Sequence, residues 1–105
     1  MEIVETSVFT KEIQKLLSDE EYMELQRELV VNPLAGALMP KGGGLRKLRW
    51  KVEGKGKRGG IRVIYYYVIS DDHIFMLIAY HKGKQDDLTH TQLTSLRKLV
   101  KEELL

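Results

Sequence analysis

A chain of 105 residues is long enough for one compact domain, residues 1–105, and too short for two ordinary cores. Apolar residues at 43% and charged residues at 30% exclude the disordered and fibrous classes. The absence of cysteine excludes a disulfide framework, a thiolate nucleophile and Cys-ligated zinc, and fits a reducing cytoplasm.

No apolar run approaches the roughly 20 residues needed to span a bilayer, and Met1-Glu2-Ile3-Val4-Glu5 lacks the basic start of a secretory signal. Ile3 to Phe9 predicts a short opening strand, with Val4, Val8 and Phe9 as its apolar residues. Phe9, Ile13, Leu16 and Leu17 recur at helical spacing and predict a helix over residues 9–17. Ser18 and Glu21 form a capping-box signature for a second helix carrying Tyr22, Leu25 and Leu29. It should stop before Asn32-Pro33, because the residue before proline resists helical geometry. Two short helices in succession make a helical hairpin.

Leu34 to Gly44 reads as loop, ending in Gly42-Gly43-Gly44. Leu45 to Val52 then alternates with period two: Leu45, Lys47, Arg49 and Lys51 on one face, Arg46, Leu48, Trp50 and Val52 on the other. After a glycine-rich connection over residues 53–60, Ile61 to Ile69 and Ile74 to Tyr80 carry strand composition. The three strands form an antiparallel meander. Thr89 and Gln92 make a second capping box, opening a closing helix with Leu93, Leu96, Leu99 and Val100 as its apolar stripe. The expected fold is α+β, with the helices packed on one face of a twisted sheet and cations on the other.

Charge is sorted along this chain. Residues 1–40 carry a net −5, residues 41–85 a net +8 and residues 86–105 a net −1. Lysine and arginine are rarely buried, so the middle segment must present a positive patch, which attracts polyanions such as nucleic acid or an acidic protein segment. The bland alternative is a solvated surface without a partner. Gly54-Lys55-Gly56-Lys57-Arg58-Gly59 matches a nucleotide-loop pattern by letter, but a strand follows it where a dinucleotide site needs a helix. The same glycines allow close approach to a phosphate chain, flanked by Lys55, Lys57 and Arg58 and followed by Arg62 on a strand.

With Lys47, Arg49, Lys82 and Lys84 on neighbouring strands, six to eight cations can converge on one surface and track an RNA backbone. RNA supplies its own nucleophile, the 2′-hydroxyl, so such a surface needs only proton transfer and charge stabilisation. Arginine pairs bidentately with phosphate and cannot act as base, whereas lysine can if its pKa falls. His81, at a strand end beside Lys82, is a candidate acid or base; His73 and His90 read as ordinary surface histidines. No carboxylate spacing suggests a metal site, and no cofactor is implied.

The segment Gly44-Leu45-Arg46-Lys47-Leu48-Arg49, followed by Lys55-Gly56-Lys57-Arg58-Gly59-Gly60-Ile61-Arg62-Val63-Ile64-Tyr65-Tyr66, resembles the HigB-type branch of the RelE toxin family. The resemblance covers almost the whole chain and implies a RelE-like fold. It also implies the nuclease half of a type II toxin–antitoxin pair, which enters the A site of the small ribosomal subunit and cleaves translated messenger RNA. That cleavage uses no metal and proceeds by 2′-hydroxyl attack, and a cognate antitoxin neutralises the toxin in a hetero-oligomer.

By position, the resemblance makes Arg62 the strand arginine that stabilises the transition state. Lys47 and Arg49 take the places of two strand lysines, one a proposed base. Lys82 matches a late basic segment, whereas Gly83 and Thr89 stand where the family has an arginine and a tyrosine, which leaves Lys57, Lys84 or His81 as stand-ins. Arg46, Lys51, Lys55 and Arg58 would hold RNA. ParE-like relatives poison DNA gyrase on the same fold, so a protein-contact inhibitor and a non-catalytic RNA-binding module stay open as alternatives.

Overall fold

The computed structural model describes residues 1–52, 60–85 and 87–104. Strand β1 (Glu2–Glu5) leads into helices α1 (Ser7–Leu16) and α2 (Asp19–Val31). Strands β2 (Ala37–Leu38), β3 (Arg46–Trp50), β4 (Ile61–Val68) and β5 (His73–His81) follow, and helix α3 (His90–Leu99) runs on into one turn of π-helix, Val100–Leu104. The strand order is β1-β5-β4-β3-β2. β3, β4 and β5 are the expected antiparallel meander, β1 adds a parallel edge beside β5, and β2 adds an antiparallel edge beside β3. No helix among the described residues is long and apolar enough to cross a membrane.

Local chemistry explains most boundaries. The opening strand is shorter than its composition suggests, because Thr6 becomes an N-cap: its hydroxyl accepts the Phe9 N–H at 3.0 Å, which turns Val8 and Phe9 into helix. Leu17 is extended and separates the two helices. Both capping boxes form in full, Ser18 with Glu21 at the head of α2 and Thr89 with Gln92 at the head of α3. α2 ends at Asn32, ahead of Pro33. The start of β4 requires glycine: Gly60 has φ of +75°, and a Cβ there would stand 2.1 Å from the Trp50 carbonyl oxygen. Between Ile64 and Tyr65 the partner on β5 jumps from Ile78 to Met76, a bulge with Leu77 as the extra residue.

The layer arrangement departs from expectation. Phe9, Ile13, Leu17, Leu25 and Leu29 of the helical hairpin pack against Leu48, Ile61, Val63, Tyr65, Ile74 and Met76 on one sheet face. On the opposite face Leu45, Ile64, Leu77, Tyr80 and Val100 form a second core, joined by half-buried Leu93, Leu96 and Leu99 of α3. The helices therefore cover both faces rather than one. The cause is β4, which buries residues on both sides: Ile61, Val63 and Tyr65 face the hairpin core and Ile64 faces the second core, as in a strand covered on both faces.

A candidate nucleic-acid interface on β3 and β4

Directly opposed residues of antiparallel strands point to the same face. Arg49 lies opposite Arg62, and Lys47 lies opposite Ile64, so Lys47, Arg49 and Arg62 share the face of the second core. Arg62 in turn lies opposite Tyr80 on β5, so Arg49, Arg62 and Tyr80 form one row across three strands. Cβ atoms at such positions are about 5 Å apart, and like charges placed there repel. An anion held by both side chains would offset this repulsion.

Arg62 is only 7% exposed and is the one buried charged residue among the described residues. Its Nη1 donates to the Ile61 carbonyl at 3.2 Å, and no described carboxylate pairs with it. Burying a guanidinium costs several kcal/mol unless an ion of opposite sign compensates. Arg49, by contrast, is exposed. Lys47 is mostly covered, its side chain 18% exposed, and its ammonium lies 3.3 Å from Asp87 Oδ1. The arrangement is a floor of buried positive charge with exposed positive charge at its margin, suited to binding a phosphodiester and spreading the negative charge that develops on it.

Other predicted residues stand elsewhere. Arg46 is on the hairpin-facing side, where its Nη1 donates to the Gly36 carbonyl at 2.7 Å and ties β3 to the loop before β2. Lys51 lines a recess with Glu21 and Glu24 of α2 and with Trp50. His81 lies opposite Ile61, on the face away from Arg62, and its Nδ1 accepts the Gly83 N–H at 2.9 Å. Lys84 shares a cavity with His81 and with Glu12 and Lys15 of α1. Lys82 is exposed on the turn after β5, and its N–H donates to the Gly60 carbonyl at 3.2 Å, which brings that turn beside the start of β4. Lys55, Lys57 and Arg58 lie outside the described residues. Gly83 and Thr89 have local reasons to be what they are. A Cβ at Gly83 would stand 3.0 Å from the His81 ring, and Thr89 caps α3.

Sequence reasoning missed Asp87, whose contact to Lys47 spans 40 positions and leaves no periodic or local signal. It also left Tyr80 without a place beside Arg62, since strand composition alone does not set the register between β4 and β5. Among the described residues, His, Asp and Glu side chains form no group of three or more able to hold a metal ion.

Comparison with known proteins gives the family and the fold. A family profile described as the RelE toxin of the RelE/RelB toxin–antitoxin system matches residues 1–104. Among solved structures, the intact E. coli RelBE toxin–antitoxin complex contains a chain 21% identical, with a TM-score of 0.55 over 76% of this chain and 94% of that one. A double-mutant E. coli toxin RelE in the free state is 14% identical, with a TM-score of 0.60 over 90% of this chain and 95% of that one. At these identities the two structures establish a shared fold.

Proposed function

The chain belongs to the RelE toxin family, and from that premise we propose that it is a ribosome-dependent endoribonuclease that cuts messenger RNA during translation. The observation that carries this reading is the buried guanidinium of Arg62, paired with no described carboxylate and set on β4 directly opposite Arg49, which is two residues from Lys47 on β3. A surface that tolerates this repulsion without a described acid beside Arg62 is built for an anion, and a phosphodiester supplies one.

In the proposed reaction the 2′-oxygen attacks the adjacent phosphorus and loses its proton, the P–O5′ bond breaks, and the 5′-oxygen takes up a proton. The products are a 2′,3′-cyclic phosphate and a 5′-hydroxyl. Arg62 and Arg49 stabilise the charge that builds on the non-bridging oxygens, a role suited to planar guanidinium groups that stay protonated. Lys47 contributes a third cation on the same face. Lys82, whose turn is hydrogen-bonded to Gly60 two residues ahead of Arg62, is the described residue assigned to the leaving oxygen. The chain would act as one domain in the cytoplasm, where translating ribosomes are. A cognate antitoxin would hold it inactive in a hetero-oligomer, as the solved E. coli complex pairs toxin with antitoxin.

Primer extension on messenger from a reconstituted translation reaction tests the reading. Wild-type protein should produce cuts only while ribosomes translate, and Arg62→Ala should slow them by roughly 10²–10³-fold, the usual cost of one preorganised electrostatic donor. Arg62→Ala strands no described carboxylate, so circular dichroism of the variant should match wild type. Cuts persisting at the wild-type rate would remove Arg62 from the site. Intact messenger accompanied by blocked DNA supercoiling would replace the nuclease reading with a gyrase inhibitor.

A further inference from the structure

We infer that Asp87 is a positioning residue of this site: its carboxylate fixes the Lys47 ammonium on the sheet face that carries Arg49 and Arg62. Its role rests on the nuclease reading above, and it deepens that reading by adding an acidic residue to a site otherwise read as wholly cationic.

The geometry is built from both ends. Lys47 is anchored on β3, its side chain 18% exposed, with Nζ 3.3 Å from Asp87 Oδ1. Asp87 is in turn fixed to the head of α3. Its Oδ1 accepts the Leu88 N–H at 2.8 Å, and its carbonyl accepts from Gln85 Nε2 at 2.8 Å. That same Gln85 nitrogen donates to Gln92 Oε1 at 2.6 Å, the oxygen that also accepts the Thr89 N–H in the capping box. α3 then rests on the second core, on the very face where Lys47 emerges. A chain of hydrogen bonds therefore runs from a packed helix to one ammonium.

Folding stability does not explain this construction. Asp87 is 59% exposed, and ion pairs at such exposure contribute little net stability. Orientation does explain it. A lysine side chain loses considerable rotamer freedom when it is pinned, and a site that pins it in advance spares that loss when substrate binds. The ammonium has three donors, so a contact to Asp87 leaves two for phosphate oxygens.

The test joins a cleavage cycle to a direct observation of the ammonium. Single-turnover cleavage on programmed ribosomes should fall by about tenfold in Asp87→Ala, the scale expected when a catalytic cation is slightly misplaced. Affinity for ribosomes carrying a 2′-deoxy substituted messenger should stay within about twofold, so the loss appears in the rate and not in binding. Asp87→Glu should restore most of the rate. Asp87→Ala should add nothing in a Lys47→Ala background, because a residue acting only through Lys47 has nothing left to position. Nitrogen-detected NMR of the free protein should show an ordered Lys47 ammonium in wild type that becomes mobile in Asp87→Ala.

Additive losses in the double variant would overturn the inference, as would an unchanged ammonium signal. Tighter messenger binding or faster cleavage in Asp87→Ala would also overturn it, by showing that the carboxylate competes with phosphate. Wild-type protein that cuts no messenger would sink the nuclease reading, while the ammonium signal would still decide whether Asp87 orders Lys47.

Discussion

Tyr65 and Arg62 lie on the same strand and face opposite sides of the sheet, and they show two ways of burying a polar group. Arg62 donates one hydrogen bond to a described backbone carbonyl, that of Ile61. Tyr65 is fully buried, and its hydroxyl is satisfied twice: it accepts the Gly36 N–H at 2.8 Å and donates to the Pro33 carbonyl at 2.7 Å. Burial pushes its ionisation above the ordinary tyrosine range. The contact also dictates its neighbour, since a Cβ on Gly36 would come 2.7 Å from Tyr65 Cε1. Tyr65→Phe leaves the Gly36 N–H and the Pro33 carbonyl without that partner. The variant should lose about 1–3 kcal/mol in denaturant unfolding. Messenger cleavage at permissive temperature should stay within about twofold, because Tyr65 belongs to the first core and the cationic row to the other face. A cleavage loss as large as that of Arg62→Ala would mean that the loop over residues 33–36 reaches the site.

At the scale of elements, β1, α1 and α2 are joined by one carboxylate. Glu5 on β1 accepts from the Thr10 hydroxyl of α1 at 2.6 Å and from the Tyr22 hydroxyl of α2 at 2.5 Å. Burial first, and then the bond to Glu5, push the Tyr22 hydroxyl far above the usual tyrosine range. In the unfolded chain that proton leaves near pH 10, so the unfolded state releases it before the folded state does. The stability contributed by Tyr22 is therefore complete below about pH 10 and declines as pH rises beyond it. Tyr22→Phe should cost about 1–2 kcal/mol at pH 7, and its urea midpoint should fall less than wild type between about pH 9 and 11. Equal alkaline slopes would show that Tyr22 does not hold its proton preferentially in the folded state. Such a tie could not be read from the sequence, whereas the capping boxes at Ser18 and Thr89 could, because a cap lies within four consecutive residues. The alternation of β3 likewise placed Lys47 and Arg49 on one face, as observed. What escaped was set by distant partners. β2 is two residues long and exists through its pairing with Lys47 and Arg46, α3 crosses to the opposite face to cover the second side of β4, and Asp87 reaches Lys47 only once both are in place.

Across the molecule, charge follows the layers. The acidic first 40 residues supply β1 and the helical hairpin on one side of the sheet, whereas the strongly basic middle segment supplies β3, β4 and the turn after β5. A polyanion therefore meets an oriented field, attracted to the β3–β4 surface and repelled from the hairpin layer. If about four to six phosphates are neutralised there, the logarithm of the association constant should fall with the logarithm of salt at a slope of roughly −3 to −4, the single-strand value per phosphate being about −0.7. Each lost contact should flatten that slope by about 0.7, so Arg49→Ala and Lys82→Ala should each do so when binding to a 2′-deoxy substituted messenger is titrated between low and physiological salt. Lys11→Ala, an exposed position on α1, removes the same formal charge from the hairpin layer and should leave the slope unchanged. The comparison separates a located phosphate contact from net charge alone: equal flattening by all three variants would mean that the whole molecule, and not the β3–β4 surface, is what the RNA senses.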